Sequence, residues 1–222
     1  MKGDGAMRKI STTDIKFLFE PETMADLLLA VHHNPVEISG LAKVQKENGL
    51  LYVVRSEPEI FEQECGMSFT DFDIKTYHSW HSRMLKENYL QEISEMRLWW
   101  HSHVWGNVYF SGTDKDTISS FGRGFEEWWA SLVLNKYGEF CLWLNTKPEW
   151  EYPFQIDEIG FTREIEMEEF RSIMVERSHG IKTAIEKKVR VKQLALYESI
   201  ISGLFKPKKE PFWDNEPHRR RL

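Results

Sequence analysis

The segment Trp99-Trp100-His101-Ser102-His103-Val104-Trp105-Gly106-Asn107-Val108-Tyr109-Phe110-Ser111-Gly112-Thr113-Asp114 concentrates residue types that bind metals and move protons. Its two histidines stand at i and i+2. In a strand that spacing puts both imidazoles on one face, together with Trp99, whereas in a helix they would diverge by about 200°. Asp114 comes eleven residues after His103, where a new helix is expected to begin, and its carboxylate can fold back beside the strand end. Two neutral imidazoles and one carboxylate make a three-ligand zinc site with the fourth position open to water, which distinguishes a catalytic from a structural site. Attack on an amide at such a site needs two more groups. A carboxylate outside the ligand set accepts the proton of the attacking water and delivers it to the leaving amine. A hydrogen-bond donor meets the developing oxyanion, and Ser111, in the loop between His103 and Asp114, is placed to supply it. Trp105 and Tyr109 in the same loop are candidates for an apolar wall of a substrate groove. Anchoring of the loop is an equal reading of both.

The elements that must hold these residues follow from local pattern. Pro21-Glu22-Thr23-Met24 opens a helix, since proline and an acidic residue both suit a first turn, and Asn34-Pro35 stops it. Val36 to Val44 reads as a strand, Asn48-Gly49 as a hairpin turn, and Leu50 to Val54 as the return strand. Thr70 or Asp71 caps a long helix through Tyr77, Trp80, Met84, Leu85 and Tyr89, whose apolar positions recur at helical spacing. Met96 to His103 is the strand that carries the histidines. Thr113 is the N-cap of the helix that follows, with Asp116 three residues on. Trp128 to Leu134 and Phe140 to Leu144 form a hairpin about Asn135-Lys136-Tyr137-Gly138. Strands alternating with helices predict an α/β fold, a sheet with helices on its faces. Residues 163–204 predict two helices broken near His179-Gly180, and the charged, proline-containing tail from Lys206 reads as loose.

His101-Ser102-His103, seven residues, Ser111, two residues and Asp114 resemble the JAMM motif of the MPN+/JAB-family zinc metalloproteases, in the prokaryotic or phage type. Pro35-Val36-Glu37-Ile38-Ser39-Gly40 resembles the family's upstream glutamate followed closely by glycine. Ser131-Leu132-Val133-Leu134-Asn135 before Gly138-Glu139 resembles its later strand and turn. The likeness spans roughly residues 15–150. It implies that His101, His103 and Asp114 bind Zn²⁺, that Glu37 is the general base and acid, and that Ser111 stabilises the tetrahedral intermediate. Glu47 and Glu57 are competing carboxylates for the role of Glu37. The implied fold is the cytidine-deaminase-like layer arrangement, a mixed sheet flanked by helices, over residues 1–160. Residues 161–222 form a helical C-terminal extension with a loose basic tail. The implied activity is hydrolysis of a peptide or isopeptide bond after the C-terminal tail of a ubiquitin-like protein, free or conjugated. Two alternatives stand beside it: trimming of a ubiquitin-like or sulfur-carrier precursor, and a non-catalytic scaffold. Val104 stands where many eukaryotic members have proline, a departure that points away from a standard eukaryotic deubiquitinase.

Composition sets the limits on partners. The 222 residues carry a net charge of −6. Residues 1–160 contribute −10 and residues 161–222 contribute +4. An acidic body is a poor nucleic-acid binder, and no run approaches the roughly 20 apolar residues of a membrane span. Two cysteines are too few for a disulfide framework, and with no apolar segment behind the charged N-terminus a cytoplasmic setting is expected. Cys65 reads as a small buried residue, His78 and His81 as a solvated helix face, and Lys187 to Lys192 likewise. Ser102 is expected to face away from the metal.

Overall fold

The computed structural model describes residues 14–66, 69–72, 74–122, 127–147 and 153–192. The expectations for the N-terminal ten residues, for a second helix reaching residue 204 and for the basic tail lie outside these.

The first two strands flank the first helix. β1 (Lys16–Phe19) leads into α1 (Pro21–His33), which starts with Pro21 and Glu22 and ends with His32 and His33, as the helix dipole favours. Nearly every side of α1 is buried, from Leu27 and Ala30 to Asp26, because it lies between the sheet and a second helix. β2 (Ser39–Lys46) and β3 (Leu51–Glu59) form the expected hairpin with Gly49 at φ +71°. β4 (Gln63–Gly66) and β5 (Phe69–Phe72) follow, then α2 (Ile74–Lys86), α3 (Leu90–Glu95) and β6 (Met96–Ser102). α4 (Gly112–Gly122) connects β6 to β7 (Trp128–Leu134), the crossover that a parallel pair requires. β8 (Phe140–Thr146), β9 (Phe154–Ile156), β10 (Gly160–Phe161), α5 (Met167–Lys188) and β11 (Val189–Val191) complete the described chain.

Eight strands make one mixed sheet in the order β10-β1-β3-β2-β6-β7-β8-β9. β9 and β10 lie at opposite ends of that order, yet only residues 157–159 separate them. Four steps of chain reach at most about 14 Å, so the sheet must curl until its edges approach. Alternation along β6 sends Trp100 into the core under α1 and α5, and Trp99 into the core under α2 and α4. β2 is the strand next to β6, with Ser39 opposite His101 and Gly40 opposite Trp100. A Cβ at Gly40 would lie 2.7 Å from the Trp100 indole, so only glycine lets β2 and the large ring share this level. A second sheet, β11-β4-β5, stands beside the main one.

Four local expectations are corrected. Residues 69–72 are a strand, not the cap of a helix, and the helix that follows stops at Lys86 instead of running through Tyr89. Asn88, at φ +63°, ends it: the Asn88 N–H reaches the Leu85 carbonyl and the Tyr89 N–H reaches Met84, the paired bonds of a left-handed C-cap. α5 is a single helix through His179-Gly180. It persists because Phe170, Met174 and Ile185 are buried against the core and Arg177 bonds both oxygens of Asp26 at 2.6 and 2.7 Å, which outweighs the helix-interior cost of glycine. Finally, Val189-Arg190-Val191 is not a solvated helix face but a strand parallel to β4, with Val189 and Val191 packed on Val36 and Cys65.

Candidate metal centre

His101 is the penultimate residue of β6 and His103 lies just past its end. Asp114 lies in the first turn of α4. Their chelating atoms converge. The Nε2 atoms of His101 and His103 are 3.2 Å apart, His101 Nε2 is 3.4 Å from Asp114 Oδ1, and His103 Nε2 is 3.9 Å from Asp114 Oδ2. These three residues are the one group among the described residues whose ligand atoms could hold a metal ion. Ligands about 2.0–2.1 Å from a tetrahedral zinc stand about 3.3 Å from one another, so the donor set and its spacing fit such an ion.

The surroundings of the three residues favour the charge states a metal would need. Burial holds His101 below the usual imidazole pKa, despite the opposing pull of Asp114, so the ring is neutral with a lone pair to give. His103 Nδ1 is 2.8 Å from the Asn107 carbonyl. A carbonyl only accepts, so the proton sits on Nδ1 and Nε2 is left as the ligand atom. Burial pushes the Asp114 carboxyl up, but the adjoining His101 ring and the hydrogen bonds of Ser111 outweigh it and hold the group well below the ordinary carboxylate range. Trp99 stacks on His101 with ring centres 4.5 Å apart, fixing the imidazole plane.

Ser111, not Thr113, is the N-cap of α4. Its Oγ accepts the Asp114 N–H at 3.2 Å while Asp114 Oδ2 accepts the Ser111 N–H at 2.7 Å, a reciprocal capping pair. The Ser111 side chain also hydrogen-bonds the Asp114 carboxylate. The cap therefore fixes both the metal-facing carboxylate and the candidate oxyanion donor.

Glu37 lies two residues before β2, and backbone hydrogen bonds tie its segment to β4 and β6. The Glu37 N–H reaches the Gly66 carbonyl at 2.9 Å, and the Ile38 N–H reaches Ser102 Oγ at 3.1 Å. The Ser102 N–H reaches the Ile38 carbonyl at 2.9 Å. Ser102 thus points away from the imidazoles and ties the glutamate's segment to the histidine strand. The carboxyl of Glu37 lines the same cleft as the ligands. Burial, aided by the charge of Asp114, pushes it up to about 8. The competing carboxylates are engaged elsewhere, Glu47 with Arg55 and Glu57 with Arg177.

The cleft has a volume of about 1060 Å³ and runs from β5 to α4. Trp105 and Tyr109 both line it, at 37% and 58% exposure. Tyr109 sets its ring edge-on to His103, while Trp105 packs on Tyr137 and the Lys136 ammonium. Its acidic lining residues are Glu37, Asp71, Asp114 and Asp116, with no lysine or arginine among the described lining residues. Cys65 is buried, its thiol is pushed up to about 12 by burial and by Glu37, and its Sγ donates to Gln63 Oε1. His78 and His81 lie on α2, outside the ligand group.

Two features of the surroundings were not legible as site residues. Gln63 is buried beneath the cleft and bonds Ser39, whose hydroxyl meets Thr70 on β5 at 2.5 Å. Nothing in the local pattern of Gln63 announces that role. Asn135 is fully buried and bonds the loop after His103; its place in an Asn-x-x-Gly turn was a signal for turn geometry, though not for a contact with the site. No protein-family model matches this chain, and no curated protein matches it either. Among the described residues no helix is long and apolar enough to cross a membrane.

Proposed function

We propose that the chain is a zinc metalloprotease of the JAMM type, hydrolysing a peptide or isopeptide bond after the C-terminal tail of a ubiquitin-like protein. One observation carries this reading. The Nε2 atoms of two histidines and the carboxylate of Asp114 converge in a cleft that also holds Glu37, a carboxylate outside the ligand set. The mixed sheet flanked by helices supports a cytidine-deaminase-like arrangement within the same proposal. Fold alone would not carry the activity.

His101, His103 and Asp114 would hold the zinc, which would supply Lewis acidity and lower the pKa of water at its open position from about 15.7 towards 7. The remaining work falls to the chain. Glu37, which burial and the charge of Asp114 hold at about 8 in the metal-free chain, would ionise more readily beside a bound cation; in its ionised form it takes a proton from the attacking water and then gives it to the leaving amine. The Ser111 hydroxyl, its oxygen anchored by the Asp114 N–H, donates to the oxyanion. Tyr109 and Trp105 offer an aromatic rim, and β5 offers an extended segment along the cleft. An acidic lining suits a flexible tail that carries basic side chains. The intact ligand set weighs against the scaffold reading, which needs none of these groups.

The test begins with metal content in protein purified without chelator or nickel, beside His103→Ala. About one zinc per chain, lost in the variant, is expected. Ubiquitin-like substrates then follow in two forms, one with a C-terminal extension and one isopeptide-linked, to separate precursor from conjugate. Wild-type protein cleaves at least one, and Glu37→Gln binds zinc but cleaves neither. Absence of zinc from both proteins after incubation with zinc at neutral pH would sink the proposal and favour the scaffold.

A further inference from the structure

We propose that Asn135, the residue after β7, is a positioning residue that sets the metal-facing orientation of His103. The inference rests on the metal reading above. It starts from the backbone between His103 and Asn107, which is a tight turn: the Gly106 N–H reaches back to the His103 carbonyl. Val104 stands at φ +40°, a region that a β-branched residue rarely enters. Such a conformation persists only where surrounding groups over-determine it.

The segment from Leu134 to Lys136 is what over-determines it. The His103 N–H donates to the Leu134 carbonyl at 2.9 Å, and the Lys136 N–H donates to the Val104 carbonyl at 2.7 Å. Asn135 Nδ2 donates to the Gly106 carbonyl at 2.9 Å. The next carbonyl along the chain, that of Asn107, receives His103 Nδ1. Asn135 thereby fixes the peptide that precedes the His103 acceptor, and the acceptor fixes the ring. The chain of contacts runs from Asn135 through Gly106 and Asn107 to the imidazole.

The residue type is as informative as the contact. Asn135 is 0% exposed, and each polar atom of its side chain is used. Oδ1 accepts the N–H groups of Tyr137 and Glu139, both at 3.0 Å, while Nδ2 also donates to Glu139 Oε2 at 2.8 Å. A carboxylate could fill the accepting role but not the donating one. Partners that orient a metal-ligating histidine change metal affinity by about 10–100-fold when removed.

A reciprocal swap isolates the bond to Gly106. Asn135→Asp combined with Glu139→Gln keeps the acceptor of both turn N–H groups and reverses the bond between the two side chains, so that the Gly106 carbonyl loses its donor and faces a carboxylate oxygen instead. Zinc affinity is measured by chelator competition, and the ligand field by the visible absorption of bound Co²⁺. Met174→Ala, on the buried face of α5, is the control for a loss of thermal stability. We expect the double variant to bind zinc about 10–100-fold more weakly with an altered cobalt spectrum, while Met174→Ala binds as wild type does. Equal affinity and an unchanged spectrum in the double variant would overturn the inference and leave the metal reading standing. Wild-type protein that binds neither ion would overturn both. If the double variant fails to fold, Asn135→Ser, whose shorter side chain cannot span to Gly106, is compared with Met174→Ala on zinc affinity and cobalt spectrum, and affinity and spectrum equal to those of wild type would overturn the inference.

Discussion

Glu37 is half-buried beside an ionised aspartate, and its protonation links the site to stability. Its carboxyl lies at about 8 in the folded chain against 4.5 for the free side chain. Between those values the folded state keeps a proton that the unfolded state has lost, so stability falls as pH rises through this window. A tenfold difference in proton affinity between the two states corresponds to about 1.4 kcal/mol, which makes the loss a few kcal/mol at most. Metal-free Glu37→Gln escapes it. Its melting temperature should match that of metal-free wild type near pH 4 and exceed it by several degrees at pH 8.5. Parallel melting curves for the two proteins across this range would show that the carboxyl is not desolvated as described. The convergence of His101, His103 and Asp114 was legible because their spacing is local: a two-residue period on one strand, then a short loop into a helix. The glutamate needed the resemblance to single it out from Glu47 and Glu57. Only the fold shows that those two pair with Arg55 and Arg177 instead. Ser111-Gly112-Thr113-Asp114 contains a capping signal, yet the same pattern recurs two residues later in Thr113-Asp114-Lys115-Asp116. Sequence alone chose the wrong register of the two.

Among the elements, those with strong local signals formed where the pattern placed them: α1 with its Pro21 start, the hairpin at Asn48-Gly49, and β6 to β8. Those that departed from expectation were decided by distant partners. β5 is a strand because β4 pairs with it through Gln63 to Gly66, and β11 is a strand because the other edge of β4 lies open to it. α5 shows the same principle in reverse, since its tertiary contacts carry a helix through a glycine that locally reads as a break. A prediction follows from the surroundings of Gly180, where an added Cβ would meet nothing within 4 Å. Glycine in an exposed helix interior costs about 1 kcal/mol relative to alanine. Gly180→Ala should therefore raise the thermal midpoint by a few degrees and leave zinc content unchanged. A lowered midpoint would mean that α5 needs flexibility at this point, contrary to the continuous helix.

At the scale of the whole molecule, the C-terminal helix is held to the first helix by a charge pair in a place where charges are expensive. Asp26 is 0% exposed on α1, and burial raises its pKa against the opposing effect of Arg177. Arg177 grips both carboxylate oxygens and also reaches Glu57 at 2.8 Å. Breaking a buried pair from one side leaves an uncompensated charge and costs about 3–5 kcal/mol, whereas replacing both partners with apolar residues is often neutral or better. Arg177→Ala should thus destabilise the chain by about that amount. Combining Asp26→Leu with Arg177→Met should recover most of the loss, because α1 and α5 already meet over Phe170, Met174 and Ile185. Chemical denaturation of the three proteins checks both expectations. The zinc content of all three should be equal, since the pair lies across the sheet from the ligands. Recovery in the double variant would mean that the apolar contacts hold α5 in place and the ion pair sets its register. A double variant as unstable as Arg177→Ala would assign the ion pair the larger share of the attachment.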